Sequence, residues 1–177
     1  MRWITFFVLL YFAAALQAVR LGALSAVPHA YPLIEYLPLL AVIYALFAEE
    51  HQAPLAGIVC GLMYDIFSQP FGVYTISLGL VAWLVVKIRM SIFREHIFSQ
   101  FIMAFLALLI FGILAALLRQ LVPLLVGHGH GDYPFWAAVG GSLINAFYSA
   151  CIAPAIIWVL FRFAGLLGFH LKSSRGR

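Results

Sequence analysis

One acidic side chain lies within a long apolar stretch of this sequence, in register with two glycines. Gly57, Gly61 and Asp65 are spaced four residues apart, so on a helix they share one face. Gly72 and Val73 follow after a short turn and open a second apolar run. Small residues let helices approach closely in lipid, and a carboxylate at membrane depth requires a polar partner. The spacing therefore predicts close helix packing around one buried charge, and we expect Asp65 to be the residue that matters most for function.

Residues that could support catalysis or metal binding are scattered. His128, His130 and Asp132 lie in the glycine-rich segment 127–132, but no fourth zinc ligand is evident, and a flexible turn is the favoured interpretation. A Gly-Gly-Ser sequence ending at Ser142 resembles the surroundings of a membrane serine nucleophile. No histidine lies deep in another apolar segment to act as its base. The phosphate-binding motif G-x-x-x-x-G-K-[ST] does not occur either. We therefore predict no enzymatic activity, no cofactor and no metal site.

The composition indicates that lipid is the solvent of this chain. Of its 177 residues, 66% are hydrophobic and 9% are charged, whereas soluble domains are roughly half apolar and about a quarter charged. So few charged side chains could not cover a globule in water, so we predict an integral membrane protein. The net charge of +4 is not a nucleic-acid signal, because the basic residues cluster in one internal loop and at the C-terminal end.

Six apolar segments are each expected to cross the membrane as a helix, which takes about 20 residues. The turn sequence Gln-Pro-Phe-Gly at 69–72 separates the third and fourth segments into a tight helical hairpin, because proline breaks a helix and glycine permits a positive φ. The predicted fold class is therefore all-α, with one six-helix transmembrane domain over residues 1–177. The predicted spans are residues 3–19, 33–48, 53–68, 71–86, 97–118 and 135–160.

The basic residues predict the orientation of these spans. If the N-terminus is inside, eight of the ten Lys and Arg residues lie on the cytoplasmic side and two on the outer side. This asymmetry follows the positive-inside rule and supports an even number of spans. We expect a multi-pass protein of the inner membrane with both termini in the cytoplasm. The basic residues that we expect to anchor it on anionic lipid headgroups are Lys87, Arg89, Arg94, Arg162, Lys172 and Arg175.

In this orientation, the polar residues of the spans gather in the outer leaflet. Glu35, Asp65 and Arg119 lie near the outer ends of the second, third and fifth spans. An ion pair of Arg119 with either carboxylate would remove the cost of each lone charge, and the alternative is that Arg119 snorkels to the outer headgroups. Two interpretations of Asp65 are also open. It orders the outer ends of the third and fourth spans, or it only hydrogen-bonds the following turn.

The last span repeats the small-residue pattern of the third. Gly141, Asn145 and Ser149 recur at every fourth position, and a neighbouring row of small residues ends at Pro154. The amide of Asn145 requires a hydrogen-bond partner in lipid, a contact worth about 1 kcal/mol. We predict that this face and the glycine face of the third span pack against each other or against the helix of a partner. Packing within the chain alone is the alternative.

Taken together, these features resemble the MreD family of rod shape-determining membrane proteins. The resemblance depends chiefly on Gly57-x-x-x-Gly61-Leu-x-x-Asp65 and on the Gly72-Val73 pair that opens the next span. It extends over nearly the whole chain. The supporting features are the Leu39–Leu46 run with Tyr44, the basic loop with Phe93-Arg94, and Asn145 followed by Pro154.

The resemblance implies more than the residues do alone. It implies a six-helix fold similar to the substrate-binding (S-component) subunits of vitamin importers, without enzymatic activity. It also implies partners: MreC, the MreB filament, and the RodA–transpeptidase complex that inserts peptidoglycan along the side wall. We therefore expect a membrane scaffold of the cell-elongation complex, in contact with lipids and with no nucleic-acid or small-molecule ligand. The alternative is a substrate-binding subunit of a vitamin-type importer, with the vitamin in an outer pocket.

Overall fold

The computed structural model describes residues 3–26, 34–68, 71–89, 97–126 and 135–162. Within these ranges the chain forms six α-helices and no β-strand, so the all-α prediction is confirmed. The predicted anchors Arg94, Lys172 and Arg175 and the Gly-His segment 127–132 lie outside the described residues. The helices are α1 (Trp3–Ala26), α2 (Tyr36–Phe47), α3 (Gln52–Ile66), α4 (Val73–Arg89), α5 (Ile97–Val126) and α6 (Phe135–Arg162).

Each predicted span overlaps one helix, and α1 and α5 continue the furthest beyond their predicted ends. Helices α1 and α5 run on past Arg20 and Arg119 because arginine and leucine are good helix formers, and a charge at the edge of lipid does not end a helix. By length and composition alone, two described helical segments could cross a membrane: Ser99–Val122 of α5 and Phe135–Val159 of α6. The segments Trp3–Val19, Tyr36–Phe47 and Gln52–Ile66 are apolar but shorter.

Helix α2 lies at the centre of the bundle and contacts each of the other five helices. Its 12 residues are apolar on every side except at the ends, which is the pattern of a fully surrounded helix. Tyr44 of α2 and Phe6 of α1 are buried with their rings edge to face, 4.6 Å between centroids. The core of the protein is therefore built around α2.

Helices α3 and α4 form a tight hairpin, because two glycines of α3 face the backbone of α4. A Cβ on Gly57 would lie 2.6 Å from the carbonyl oxygen of Leu78, and a Cβ on Gly61 would lie 2.6 Å from that of Tyr74. Only a residue without a side chain permits this approach. The glycine face of the third predicted span therefore packs within the chain, against α4. A partner helix cannot occupy the same face, nor does this face serve as the predicted contact with the last span.

At the opposite end of the hairpin, the predicted basic anchors have different surroundings. Arg89 is only 8% exposed, and its Nη1 donates a hydrogen bond to the carbonyl oxygen of Ala45, 3.0 Å away, near the end of α2. Arg89 therefore binds a backbone group inside the bundle, although we expected it to anchor the protein on lipid headgroups. Lys87 is exposed, and its Nζ donates to Oε1 of Glu50 at 2.5 Å. This hydrogen bond and the positive charge of Lys87 hold the pKa of Glu50 below its usual value.

Candidate functional site

Asp65 connects the end of α3 to the beginning of α4. The carboxylate is 3% exposed and accepts hydrogen bonds from the backbone N–H of Tyr74 (3.0 Å) and of Thr75 (2.9 Å). The hydroxyl of Thr75 donates to it as well. The first N–H groups of a helix have no intrahelical acceptor, and the positive end of the helix dipole favours a negative charge there. Asp65 thus caps α4 from the preceding helix.

The turn between the two helices depends on a glycine. Gly72 has a φ of +95°, in the region that residues with a side chain rarely adopt, and its carbonyl oxygen accepts the N–H of Ile76 in the first turn of α4. The sequence Gly72-Val73, on which the family resemblance partly depends, is therefore the start signal of α4. Its conformation places Tyr74 and Thr75 within reach of Asp65.

Three aromatic rings and one guanidinium group pack beside this cap. The ring of Tyr74 lies 4.1 Å from that of Tyr64 and 6.0 Å from that of Phe111, measured between centroids. The guanidinium carbon of Arg119 lies 5.1 Å from the centroid of the Tyr74 ring. A cation over an aromatic face is stabilised by about 0.5–2 kcal/mol. Arg119 is therefore held by a residue whose own backbone is bound to Asp65.

The N-terminus of α2 is held by side chains of two other helices. The N–H of Glu35 donates to Oγ of Ser149 (3.1 Å), and the N–H of Tyr36 donates to Oε1 of Gln17 (3.1 Å). Nδ2 of Asn145 donates to Oε1 of Glu35 at 3.3 Å. Gln17 and Ser149 are fully buried. Our sequence-based predictions assigned no role to Gln17, although a lone amide within an apolar helix is a signal that could have identified it.

Members of both groups, among them Tyr74 and Arg119 of the first and Glu35 and Asn145 of the second, line one cavity of about 360 Å³ at the end of the bundle where α2, α4 and α6 begin. We call it the polar cavity. Residues from α3, α4, α5 and α6 line it together with Glu35, which immediately precedes α2, and they combine hydroxyl, amide, carboxylate and guanidinium groups with aromatic rings. Those most important for its chemistry are Glu35, Tyr74, Arg119, Gly141, Ser142 and Asn145.

The structure brings together some of the predicted site residues and separates others. Glu35 and Arg119 line the same cavity, and their ion pair stays a prediction. Asp65 lies behind Tyr74, and the hydrogen bonds described above connect it to α4. Two small residues of α6 face neighbouring helices, whereas Gly140 and Gly141 are exposed. Ser149 lies at the start of α2, and Ser142 lies so close to Gly112 of α5 that no Cβ fits there. Pro154 lies inside α6, away from the cavity.

A family model described as rod shape-determining protein MreD matches residues 1–163, a range that includes all six helices. The chain belongs to the MreD family. It is accordingly a bacterial membrane protein that determines rod shape, and the resemblance found in the sequence is confirmed. No curated protein and no solved structure matches the chain.

Membership in the MreD family gives the geometry above a biological setting. The Asp65 cap, the Gly72 turn and the polar cavity all lie within the matched residues of this MreD-family protein. The family is one of shape-determining proteins, so the match does not support the alternative of a vitamin-importer subunit. The cavity is then a feature that the family name does not itself explain.

Proposed function

We propose that this chain is a non-enzymatic membrane scaffold of the bacterial cell-elongation complex. In this role it positions lateral peptidoglycan synthesis by holding MreC, and through it MreB and the RodA–transpeptidase complex. The observation that carries the proposal is the MreD match over all six helices. Much of the chain's chemistry also serves its own architecture: Asp65, Arg89, Gln17 and Ser149 each bind backbone groups at helix ends.

We further propose that all six helices span the inner membrane, with both termini in the cytoplasm. Helix α2 has 12 residues, so it extends only about 18 Å, less than the roughly 30 Å of hydrocarbon. A helix this short is acceptable in a membrane only if its end groups are satisfied inside the protein. Gln17 and Ser149 do this at its beginning, and Arg89 does so at its end. In this proposed orientation, which follows the positive-inside rule, the polar cavity lies at the outer face of the membrane.

The outward face of α6 is the surface that we propose for a partner helix. Large apolar side chains at helical spacing are exposed along it, at Trp136, Leu143, Phe147 and Trp158. The ring of Phe147 is about half exposed, yet it is held edge-on by two phenylalanines of α5, with centroids 6.3 and 6.4 Å away. An aromatic anchor that is already rigid loses little entropy on binding.

Depletion of this protein in its rod-shaped host is expected to turn the cells round. A scaffold that positions side-wall synthesis is needed for the cylindrical shape of the cell, whereas the wall can still grow without it. Cell width and length, measured by microscopy after depletion and after re-expression of the intact chain, test this role. Cells that keep their rod shape without the protein would contradict it, particularly if growth then required an added vitamin.

Photo-crosslinking from α6 is expected to capture MreC. A crosslinking residue at Leu143 or at Phe147 would lie on the proposed face, whereas Leu62 of α3 and Tyr11 of α1 are also exposed but point elsewhere. We expect crosslinks to MreC from the two α6 positions to exceed those from the two control positions several-fold. Crosslinks from Leu62 or Tyr11 in place of α6 would move the partner to another face and refute this part of the proposal.

A further inference from the structure

We propose that the polar cavity binds a neutral polyhydroxylated group, of the kind that a sugar ring presents. Three half-buried side chains of its wall, Ser68, Ser142 and Asn145, keep hydrogen-bonding capacity that no described residue uses. The headgroup of a glycolipid has this chemistry, and so does a free monosaccharide. The cavity volume of about 360 Å³ lies at the lower end of the range of ligand pockets, which suits a group of this size. This inference goes beyond the scaffold role and does not depend on it.

One face of α6 presents hydrogen-bond acceptors to the cavity. Ser142 and Asn145 are three residues apart, so they occupy neighbouring positions of this face. The hydroxyl of Ser142 donates to the carbonyl oxygen of Ala138 (2.9 Å), and the lone pairs of its Oγ remain as acceptors. Nδ2 of Asn145 donates to Glu35, and Oδ1 of Asn145 accepts no hydrogen bond from a described residue. A ligand that donates O–H groups can therefore be bound at both positions.

Ser68 supplies a third hydroxyl from another part of the wall. It follows the end of α3, and its backbone N–H donates to the carbonyl oxygen of Asp65 (3.2 Å). Its side-chain hydroxyl makes no hydrogen bond with a described residue, so it can both donate and accept. A ligand that reaches both Ser68 and α6 requires several hydroxyl groups. A sugar ring carries them, whereas a group with a single hydroxyl does not.

The two charged residues of the wall favour a neutral ligand. Contacts within the protein already hold both, since the guanidinium carbon of Arg119 lies 5.1 Å from the centroid of the Tyr74 ring and Glu35 accepts a hydrogen bond from Asn145. A charged ligand would compete with such contacts and would bring a like charge towards either Arg119 or Glu35. A neutral ligand leaves them intact. Its cost of leaving water is then limited to its hydroxyl groups, which the wall can bind.

Aromatic rings form the apolar part of the wall. Tyr64, Phe111 and Phe135 line the cavity from α3, α5 and α6. A sugar ring has apolar C–H groups as well as hydroxyl groups, and C–H groups pack favourably on the electron-rich face of an aromatic ring. A wall that combines aromatic rings with a few polar groups is typical of small-molecule sites. Water could bind the polar groups but would gain nothing from the rings, so the mixed wall favours a sugar.

The test measures whether a sugar headgroup retains a lipid on the intact purified protein. The chain is reconstituted with equal amounts of monoglucosyldiacylglycerol and diacylglycerol that have the same acyl chains. It is extracted in a polyoxyethylene detergent, which carries no sugar, and analysed by native mass spectrometry. We expect roughly ten-fold enrichment of the glucolipid, the ratio expected from one or two neutral hydrogen bonds. Equal retention of the two lipids, together with no rise of the Tm in methyl glucoside, would overturn the proposal.

Phosphatidylglycerol tests whether the ligand is neutral, because its headgroup carries two hydroxyl groups and a negative charge. In an equal mixture with the glucolipid, we expect the protein to retain the glucolipid in several-fold excess. If phosphatidylglycerol is retained equally or better, the assignment to a neutral group is wrong.

Two glycines of α6 supply a matched pair of variants. A Cβ on either Gly140 or Gly141 would meet no described atom within 4 Å, so there is room for a side chain at both positions. Gly141 lines the cavity and Gly140 does not. We expect Gly141→Leu to abolish the enrichment of the glucolipid and Gly140→Leu to retain it. Equal behaviour of the two variants would refute the site.

Ser142→Ala and a soluble sugar separate the remaining outcomes. Ser142→Ala removes one hydroxyl without adding volume, and we expect it to lower the enrichment several-fold. If this variant is folded by circular dichroism and keeps the full enrichment, Ser142 does not bind the ligand and the assignment to this face of α6 is wrong. If the glucolipid is not enriched but methyl glucoside raises the Tm of the wild-type protein and not of Gly141→Leu, the site stands with a free sugar as its ligand.

Discussion

Replacing Gly61 with alanine is expected to lower the free energy of unfolding by about 1–3 kcal/mol, the usual cost of forcing extra volume into a packed interface. The new Cβ would lie 2.6 Å from the carbonyl oxygen of Tyr74 and 2.8 Å from the nitrogen of Thr75. Both are backbone atoms, so no rotamer change can relieve the contact, and α3 and α4 must move apart. Thermal unfolding of the purified protein in detergent, followed by circular dichroism, measures the loss.

Two other glycines provide the controls for this prediction. Gly140→Ala meets no described atom within 4 Å, and alanine is the better helix former, so its stability should equal or slightly exceed that of the wild type. In Gly79→Ala the new Cβ would lie 3.0 Å from Cγ1 of Ile58, a flexible side chain that can move. The stability of this variant should therefore lie between those of Gly61→Ala and Gly140→Ala. If Gly61→Ala unfolds at the same temperature as Gly140→Ala, the close approach of α3 to α4 is wrong.

Asp65→Ala is expected to cost about 2–4 kcal/mol of stability and to release the beginning of α4. The substitution leaves the N–H groups of Tyr74 and Thr75 without their acceptor, and unsatisfied backbone groups are expensive away from water. Loss of a helix cap alone costs about 0.5–2 kcal/mol. Amide hydrogen exchange should accelerate at residues 73–76 more than elsewhere in α4, and thermal unfolding should show the decrease in stability.

Two milder substitutions distinguish the hydrogen bonds at Asp65. Thr75→Val removes the hydroxyl donor and keeps both backbone contacts, so its effect should be the smallest. Asp65→Asn keeps one acceptor and places an NH₂ group against a donor, so it should lie between Thr75→Val and Asp65→Ala. If Asp65→Asn is as stable as the wild type and yet fails to restore rod shape in depleted cells, then Asp65 acts in function beyond its role as a cap. Equal stability of Asp65→Ala and wild type would contradict the cap itself.

Several features of this protein follow from the sequence alone. The 66% hydrophobic composition requires lipid, and six apolar segments predict the six helices that the structure shows. The spacing of Gly61 and Asp65 predicts one shared helix face, and Gly72 predicts the turn. These predictions succeed because helical periodicity and the φ preference of glycine are local properties of the chain. The same local pattern carried the family resemblance, which the MreD match confirms.

The tertiary structure alone decided which surfaces meet. Small residues on α3 and α6 predict that another helix packs closely there, but they do not predict which helix. A face of small residues fits many neighbouring helices. The sequence could not predict the role of Arg89 for the same reason. A basic residue at a helix end usually anchors the helix to lipid headgroups, but here the carbonyl oxygen of Ala45 lies beside the guanidinium and accepts its hydrogen bond. Glu35 precedes α2, Arg119 lies in α5 and Asn145 lies in α6, and the cavity that these residues line exists only when the three helices meet. Local patterns record how each helix forms, whereas the meeting of distant helices depends on the sum of all their contacts.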